Sequence, residues 1–415
     1  MANEKTGRRE FLRRAGLFSG TLPGILGLDW LLKYANQLFL VPSAPTEAAV
    51  AQPQWAGAVV KSYRPLGRTG WKMSDISFGA AHVSDADVVR AALDRGINYI
   101  DTSPDYSDAE SERVVGAAIK GRRDKVFVAS KFCTAQGHLA VDSSVGDIVQ
   151  AVEASLGRLG TDYLDLCHIH ACNDLDRLMA PSFHEAFDRL RAQGKVRFLG
   201  VSSHTPELEK VMTHAVDSGR FDVIMAAYNF SAWPDLSSII AKAHRKGVGF
   251  VAMKTLKGAY HTALSEFTPS EAQSFTQAAF KWVSGNEEVS GLVVSISKIS
   301  HLDEYLYASG EKVTAQDLGL LEKYDRAVAR EYCRPGCGQC LDACPAGLPI
   351  DDILRYAMYH DGYGSTRVAR AKYARLPQRV RGTDCLTCAA PCQGACPFEL
   401  PIRTKIVRAH QLLSA

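Results

Sequence analysis

From Tyr63 to about Ala308 the chain alternates between two rhythms. Short apolar runs recur at Ile76–Gly79, Asn98–Asp101, Val126–Lys131, Tyr163–His170, Phe198–Ser202, Val223–Tyr228, Gly249–Lys254 and Gly291–Ile296. Between them lie stretches such as DADVVRAALDRG and SVGDIVQAVEASLGRLG, with apolar residues at i, i+3 and i+4, the spacing of one helix face. Several close on glycine, a helix stop. Strand then helix, eight times over, predicts an α/β fold of the (β/α)8 barrel type (the TIM barrel). A doubly wound sheet is the competitor, but no G-x-G-x-x-G follows the first strand. The pattern divides the chain into an N-terminal signal or helix at 1–51, a linker at 52–62 and the barrel at 63–312. A connecting helix follows at 313–332, and then a small α-rich domain at 333–415.

Composition adds a charge asymmetry. Net charge is +3 overall. Residues 1–51 carry +2 and residues 333–415 carry +5, leaving the middle at −4. A mildly acidic barrel and a basic tail fit separate domains. The basic excess is too small, and too poor in interleaved aromatics, for nucleic acid. No run of about 18 apolar residues is present, so a membrane-spanning helix is not expected.

The first residues, TGRREFLRRAGLFSGTLPGILGL, place Arg8-Arg9 ahead of Phe11-Leu12 and an apolar stretch from Ala15 to Leu28. This resembles a twin-arginine (Tat) export signal, with Ala49-Val50-Ala51 as a small-residue cleavage site. The alternative is a cytoplasmic arginine-rich amphipathic helix. Export implies a periplasmic protein, or one held on the outer face of the inner membrane. The stretch Trp30–Val41 is a candidate amphipathic helix for membrane association.

In a barrel, chemistry belongs at the C-terminal ends of the strands. Asp101 ends the second strand, Lys131 the third and His170 the fourth, and Tyr106 lies five residues past Asp101. Together with NYIDTSPDYSDAESERVVGAAIKGRRDKVFVASKF, DYLDLCHIH and GKVRFLGVSSH, these residues resemble the aldo/keto reductase family. The resemblance implies a catalytic tetrad of Asp101, Tyr106, Lys131 and His170. Tyr106 would be the general acid toward a small carbonyl or alcohol. Lys131 would lower its pKa, Asp101 would fix the lysine, and His170 would orient the substrate oxygen. The family's NADP(H) contacts are matched by Ser202, Ser203, an aromatic platform at Tyr228 and a phosphate contact at Lys298. The expected Gln, however, is Met225, and Ser297-Lys298 replace Pro-Gly. Two readings therefore stand: a dinucleotide exported already bound, or a site that no longer uses one.

The tail holds eight of the eleven cysteines. Cys333-x3-Cys337-x2-Cys340-x3-Cys344-Pro and Cys385-x2-Cys388-x3-Cys392-x3-Cys396-Pro each resemble the bacterial ferredoxin run C-x2-C-x2-C-x3-C-P. That resemblance implies a ferredoxin-like domain with two [4Fe–4S] clusters. Cys333, Cys337 and Cys340 would share one cluster with Cys396, and Cys385, Cys388 and Cys392 the other with Cys344. Disulfides and zinc are the competing accounts of these residues. The linker RVARAKYARLPQRVRG has six basic residues and no acid, and suits an acidic redox partner or a solvated loop. Cys133, Cys167 and Cys172 are expected to be buried as small hydrophobes.

Three functional readings follow. The first is an exported iron–sulfur oxidoreductase that exchanges electrons with a periplasmic or membrane redox partner. The second is an electron-transfer or structural subunit of a larger respiratory complex. The third is an NADPH-dependent reductase with structural clusters. Barrel chemistry of this family moves a hydride, whereas clusters pass single electrons, and no flavin motif bridges the two.

Overall fold

The computed structural model describes residues 53–204, 207–231, 235–256, 274–334, 337–362, 366–381 and 383–414. The twin-arginine segment, the Trp30–Val41 stretch and the cleavage site lie outside these residues.

Eight parallel strands form a closed barrel: β1 (Ile76–Gly79), β2 (Tyr99–Asp101), β3 (Phe127–Lys131), β4 (Leu164–Ile169), β5 (Val196–Ser203), β6 (Val223–Ala227), β7 (Gly249–Met253) and β8 (Gly291–Ser295). They follow one another in space in chain order, and β8 pairs back onto β1 with Leu292 opposite Ile76. A helix follows each strand: α1 (Ala86–Asp94), α2 (Glu110–Ile119), α3 (Val145–Leu159), α4 (Pro181–Ala192), α5 (Leu208–Ser218), α6 (Ser237–Arg245), α7 (Phe275–Ser284) and α8 (Ile299–Tyr307). Local chemistry sets their ends. Ser144 caps α3 by accepting from the Asp147 backbone, and Gly160 ends it in the left-handed region.

The strands alternate their side chains. Tyr99, Phe127, Ala129, Leu166, Met225 and Val251 fill the barrel interior, while Ile100, Val128, Ile224 and Phe250 face the helices. A hairpin of Tyr63–Pro65 and Lys72–Ser74 closes the bottom and buries Leu66. Its turn needs Gly67 (φ +53°), because a Cβ there would lie 2.3 Å from the Gly249 nitrogen. Gly200 is needed for a different reason: a Cβ there would meet His168 Nδ1 at 2.4 Å inside the barrel.

Beyond the barrel, α9 (Ala315–Val328) starts with a Thr314–Asp317 capping box. It lays Leu321, Tyr324 and Val328 against Phe275 and Ala279 of α7. The tail then forms α10 (Ile350–Asp361), α11 (Thr366–Ala374) and α12 (Ile402–Leu413) around its own core of Leu348, Ile353, Tyr373, Leu400 and Ile406. The tail is built from a repeated unit. Pro349 and Pro401 cap α10 and α12 with φ/ψ of −74°/72° and −74°/67°, and Gly347 and Glu399 both have positive φ. Each of these two helices is 12 residues long. No helix among the described residues is long and apolar enough to cross a membrane.

Candidate active site and cysteine-lined tail

The barrel brings Asp101, Tyr106, Lys131 and His170 together at its C-terminal mouth. Asp101 and Lys131 are at matching ends of adjacent strands, with Asp101 paired to Ala129 two residues before the lysine. Side chains two apart share a face, so both point inward. Lys131 Nζ donates to Asp101 Oδ1 and to the Thr102 carbonyl, each at 2.7 Å. The pair is almost wholly buried. Burial opposes charge on the ammonium, but the Asp101 carboxylate outweighs it and keeps Lys131 protonated. The Tyr106 ring sits over Lys131, 4.6 Å from Nζ to the centroid, and meets the His170 ring edge-on at 6.1 Å.

The expected lowering of the Tyr106 pKa is only half realised. The lysine does pull it down, but burial is the larger effect and holds the phenol above its ordinary value. His170 is held neutral by burial, against the pull of Asp105. Backbone strain marks the same rim. Ser107, Ala109 and Ala171 have φ of 51°, 67° and 45°, and Lys254, past β7, has 55°. Such conformations cost about 1–3 kcal/mol each and cluster at functional sites.

The residues matched to dinucleotide contacts do not assemble in the same way. Tyr228 continues the outward-facing side of β6. Its ring packs on Phe250 and Trp282, and its hydroxyl meets Asn286, so it lies in the barrel–helix layer rather than over the mouth. The side chain that faces the barrel interior at the adjacent strand end is Met253. Met225 fills the barrel core. Lys298 is an exposed helix cap on α8. Ser202 is at the mouth and accepts from the Ala171 nitrogen at 3.3 Å, and Ser203 is buried beside it.

Sequence reasoning missed several groups. Cys167 and Cys172 are core residues as expected, but Cys133 is more than a small hydrophobe. Its Sγ lies 3.2 Å from His170 Nδ1. Asp105 and His138 stand beside it. The tail also reaches the mouth. Arg355 of α10 donates to His204 Nδ1 at 3.1 Å, and Lys254 Nζ sits 5.5 Å from the Tyr359 ring centroid. Burial pushes Tyr359 up, but Lys254, Arg355 and Lys372 together draw its pKa below 10.0. No local pattern in the sequence marks these contacts, because they join positions about 100 to 150 residues apart.

None of the eleven cysteines is in a disulfide in the structure, so the disulfide account is not what it contains. Cys344 joins Cys385, Cys388 and Cys392 around a cavity of about 280 Å³, floored by Ile402 and Ile406. Burial raises Cys333, and the Asp351 carboxylate, then Cys340, Cys337 and Cys396, raise it further. Cys340 is pushed up to about 12, again by burial first and then by Cys396 and Cys337. Cysteines bind a metal as thiolates, so a bound cation would have to draw these thiols into their charged form. A single zinc would need sulfurs about 3.8 Å apart, whereas among the described residues no group of three or more tail ligand atoms lies within 4.8 Å of one another.

A model of the aldo/keto reductase family matches residues 70–326. L-galactose dehydrogenase of Arabidopsis thaliana is 28% identical over 284 residues, spanning 60% of this chain and 88% of that protein. The methylglyoxal reductase YeaE of Escherichia coli is 36% identical over 155 residues, 36% of this chain and 48% of that protein. Among solved structures, a putative aldo-keto reductase from Pseudomonas aeruginosa superposes with a TM-score of 0.52 at 26% identity, covering 64% of this chain and 99% of the other. A Klebsiella pneumoniae aldo-keto reductase in complex with NADPH superposes with a TM-score of 0.53 at 24% identity, covering 64% and 95%.

Proposed function

Because this chain belongs to the aldo/keto reductase family, we propose that its barrel interconverts a small carbonyl and its alcohol, with electrons carried by two tail clusters. The barrel's part is proton handling and positioning. The observation that carries it is the Lys131 ammonium, held 2.7 Å from Asp101 beneath the Tyr106 ring. Reduction adds two electrons and two protons: the electrons would come one at a time from the clusters, the Tyr106 hydroxyl protonates the substrate oxygen, and water supplies the proton taken up by the carbon. Lys131 stabilises the tyrosinate left behind, and Asp101 keeps the lysine in place. His170, held neutral, orients the same oxygen.

Cys333, Cys337, Cys340 and Cys396 would hold one [4Fe–4S] cluster, and Cys344, Cys385, Cys388 and Cys392 the other. Clusters of this kind supply or accept single electrons. The four-cysteine cavity supports this reading, as do the repeated C-P-x-x-L-P-I turns. A dinucleotide-free site is supported by the burial of Tyr228 in the helix layer and by Arg355 and Tyr359 standing over the ends of β5 and β7. The twin-arginine pattern supports a location outside the cytoplasm and a periplasmic or membrane redox partner. The positive tail suits an acidic face on that partner.

The test uses protein purified without oxygen. It should be brown and contain about eight irons with matching acid-labile sulfide. Reduced viologen, a one-electron donor, should drive carbonyl reduction where NADPH does not. Turnover with NADPH alone, in iron-free protein, would favour an ordinary nicotinamide reductase. Iron-loaded protein that turns over with neither donor would favour the electron-transfer subunit.

A further inference from the structure

We propose that Asp105, Cys133, His138 and His170 form a binding site for a zinc-type divalent cation at the rim of the barrel mouth. Each residue offers one ligand atom, and the four atoms lie within 4.8 Å of one another. They come from three separate segments. Asp105 precedes Tyr106 on the loop after β2, and His170 follows the last residue of β4. Cys133 and His138 belong to a tight hairpin after β3, where Cys133–Thr134 pairs with Gly137–His138. Cys133 and His138 are direct cross-strand partners, and such partners project from one face with Cβ atoms about 4.5–5.5 Å apart. The hairpin therefore presents a sulfur and an imidazole side by side.

Asp105 Oδ1 accepts from Ser103 Oγ at 2.5 Å, and the wider spacings from Asp105 to the two imidazoles suit an ion. His170 Nδ1 lies 3.5 Å from Asp105 Oδ1, and His138 Nε2 lies 3.6 Å from Asp105 Oδ2. Both exceed the roughly 2.7–3.2 Å of a good N–H···O bond. Zinc bonds of about 2.0–2.3 Å in a tetrahedron set neighbouring ligand atoms about 3.3–3.8 Å apart. The Cys133–His170 separation of 3.2 Å is close to the short end of that range. The donor set argues for the same class of metal. One thiolate, two imidazoles and one carboxylate suit zinc, whereas magnesium and calcium take oxygen shells.

Charge agrees. A dication with one thiolate and one carboxylate is neutral, as a half-buried centre beside the Lys131 ammonium requires. Ala171 and Ser107 to Ala109, beside the ligands, have positive φ. His138 is the exposed member, at the solvent edge of the site. With its four protein ligands the centre is closed. It fixes His170 and the Asp105–Tyr106 loop, and it opens to a substrate oxygen only if His138 leaves. The inference goes beyond the proposed function and does not depend on turnover.

The test reads metal. Full-length chain with its tail cysteines loaded as purified is compared with His138→Ala and Cys133→Ser, which leave the tail unchanged. Zinc per chain should fall by about one in each variant. Cobalt added to zinc-stripped wild type should give tetrahedral visible bands and a thiolate-to-cobalt band, and Cys133→Ser should lose the latter. Zinc should also raise the melting temperature of stripped wild type and leave that of His138→Ala unmoved. His138 is exposed, so its replacement should not disturb folding. Should Cys133→Ser fold poorly, the cobalt spectrum of wild type minus His138→Ala decides. Equal metal content in all three proteins, with no difference in cobalt spectrum, overturns the proposal.

Discussion

Arg355 in the tail and His204 at the end of β5 are 3.1 Å apart, and this contact seats the first long tail helix on the barrel mouth. Arg355 also pairs with Asp352 on its own helix, so the guanidinium is bound on both sides. His204 is kept neutral by burial and by the charges of Arg355 and Lys254. A neutral Nδ1 can then accept a hydrogen bond from the Arg355 guanidinium.

Replacing Arg355 with alanine should loosen this seat. It strands a half-buried acceptor and should lower stability by about 1 kcal/mol, measured as a shift in the denaturant midpoint. Arg367 is the control. It pairs with Asp108 across the same two regions, but both side chains are more than 70% exposed, so Arg367→Ala should leave the midpoint unchanged. Equal losses in the two variants would mean that the Arg355 contact adds nothing.

The Tyr106 hydroxyl is expected to carry the proton. Tyr106→Phe should reduce carbonyl turnover about 10²–10⁴-fold with the fold intact. Lys131→Met should do more. It leaves Asp101 buried without its counter-charge and should also cost about 3–5 kcal/mol of stability. Turnover that survives Tyr106→Phe at full rate would assign the proton to another group.

The tail cysteines are predicted to cross over. The double variant Cys344→Ser/Cys385→Ser should remove one cluster and keep about four irons, because both residues serve one core. Cys344→Ser/Cys340→Ser should damage both. If instead the second pair retains about four irons and the first retains none, each run holds its own cluster.

Tyr359 gives a titration signature. Its pKa is lowered from 10.0, so this phenol ionises before an ordinary tyrosine as pH rises. Tyrosinate absorbance in wild type should show an early component below the main transition, and Tyr359→Phe should lack it. The linkage has a matching sign. Stability drawn from the Lys254–Tyr359 pairing grows on the alkaline side as the phenolate forms, and is lost as pH falls through the shifted pKa. An identical titration in both proteins would contradict the drawn-down value.

The barrel was legible because its signal is local. Apolar runs and helical faces placed seven of the eight strands to within a residue at each end, and only β5 starts two residues before its apolar run. The Asp101, Tyr106, Lys131 and His170 cluster was legible because strand ends in a closed barrel converge, whatever the loops do. Tyr228 was misplaced by parity: one residue along a strand turns a side chain from the mouth to the helices. Asp105 and His138 gave no signal alone, since it takes the hairpin pairing to set His138 beside Cys133. The tail contacts through Arg355 and Tyr359 depend on how two domains meet, which periodicity does not encode.

The perch of α10 over the ends of β5 and β7 makes truncation a poor way to study this barrel. Cutting the chain before Cys333 would strip away Arg355 and Tyr359 along with the sulfurs, leaving His204 and Lys254 facing water. Such a fragment would have an unroofed vestibule that the intact protein never presents, and any small molecule admitted there would report on the excision rather than on the parent.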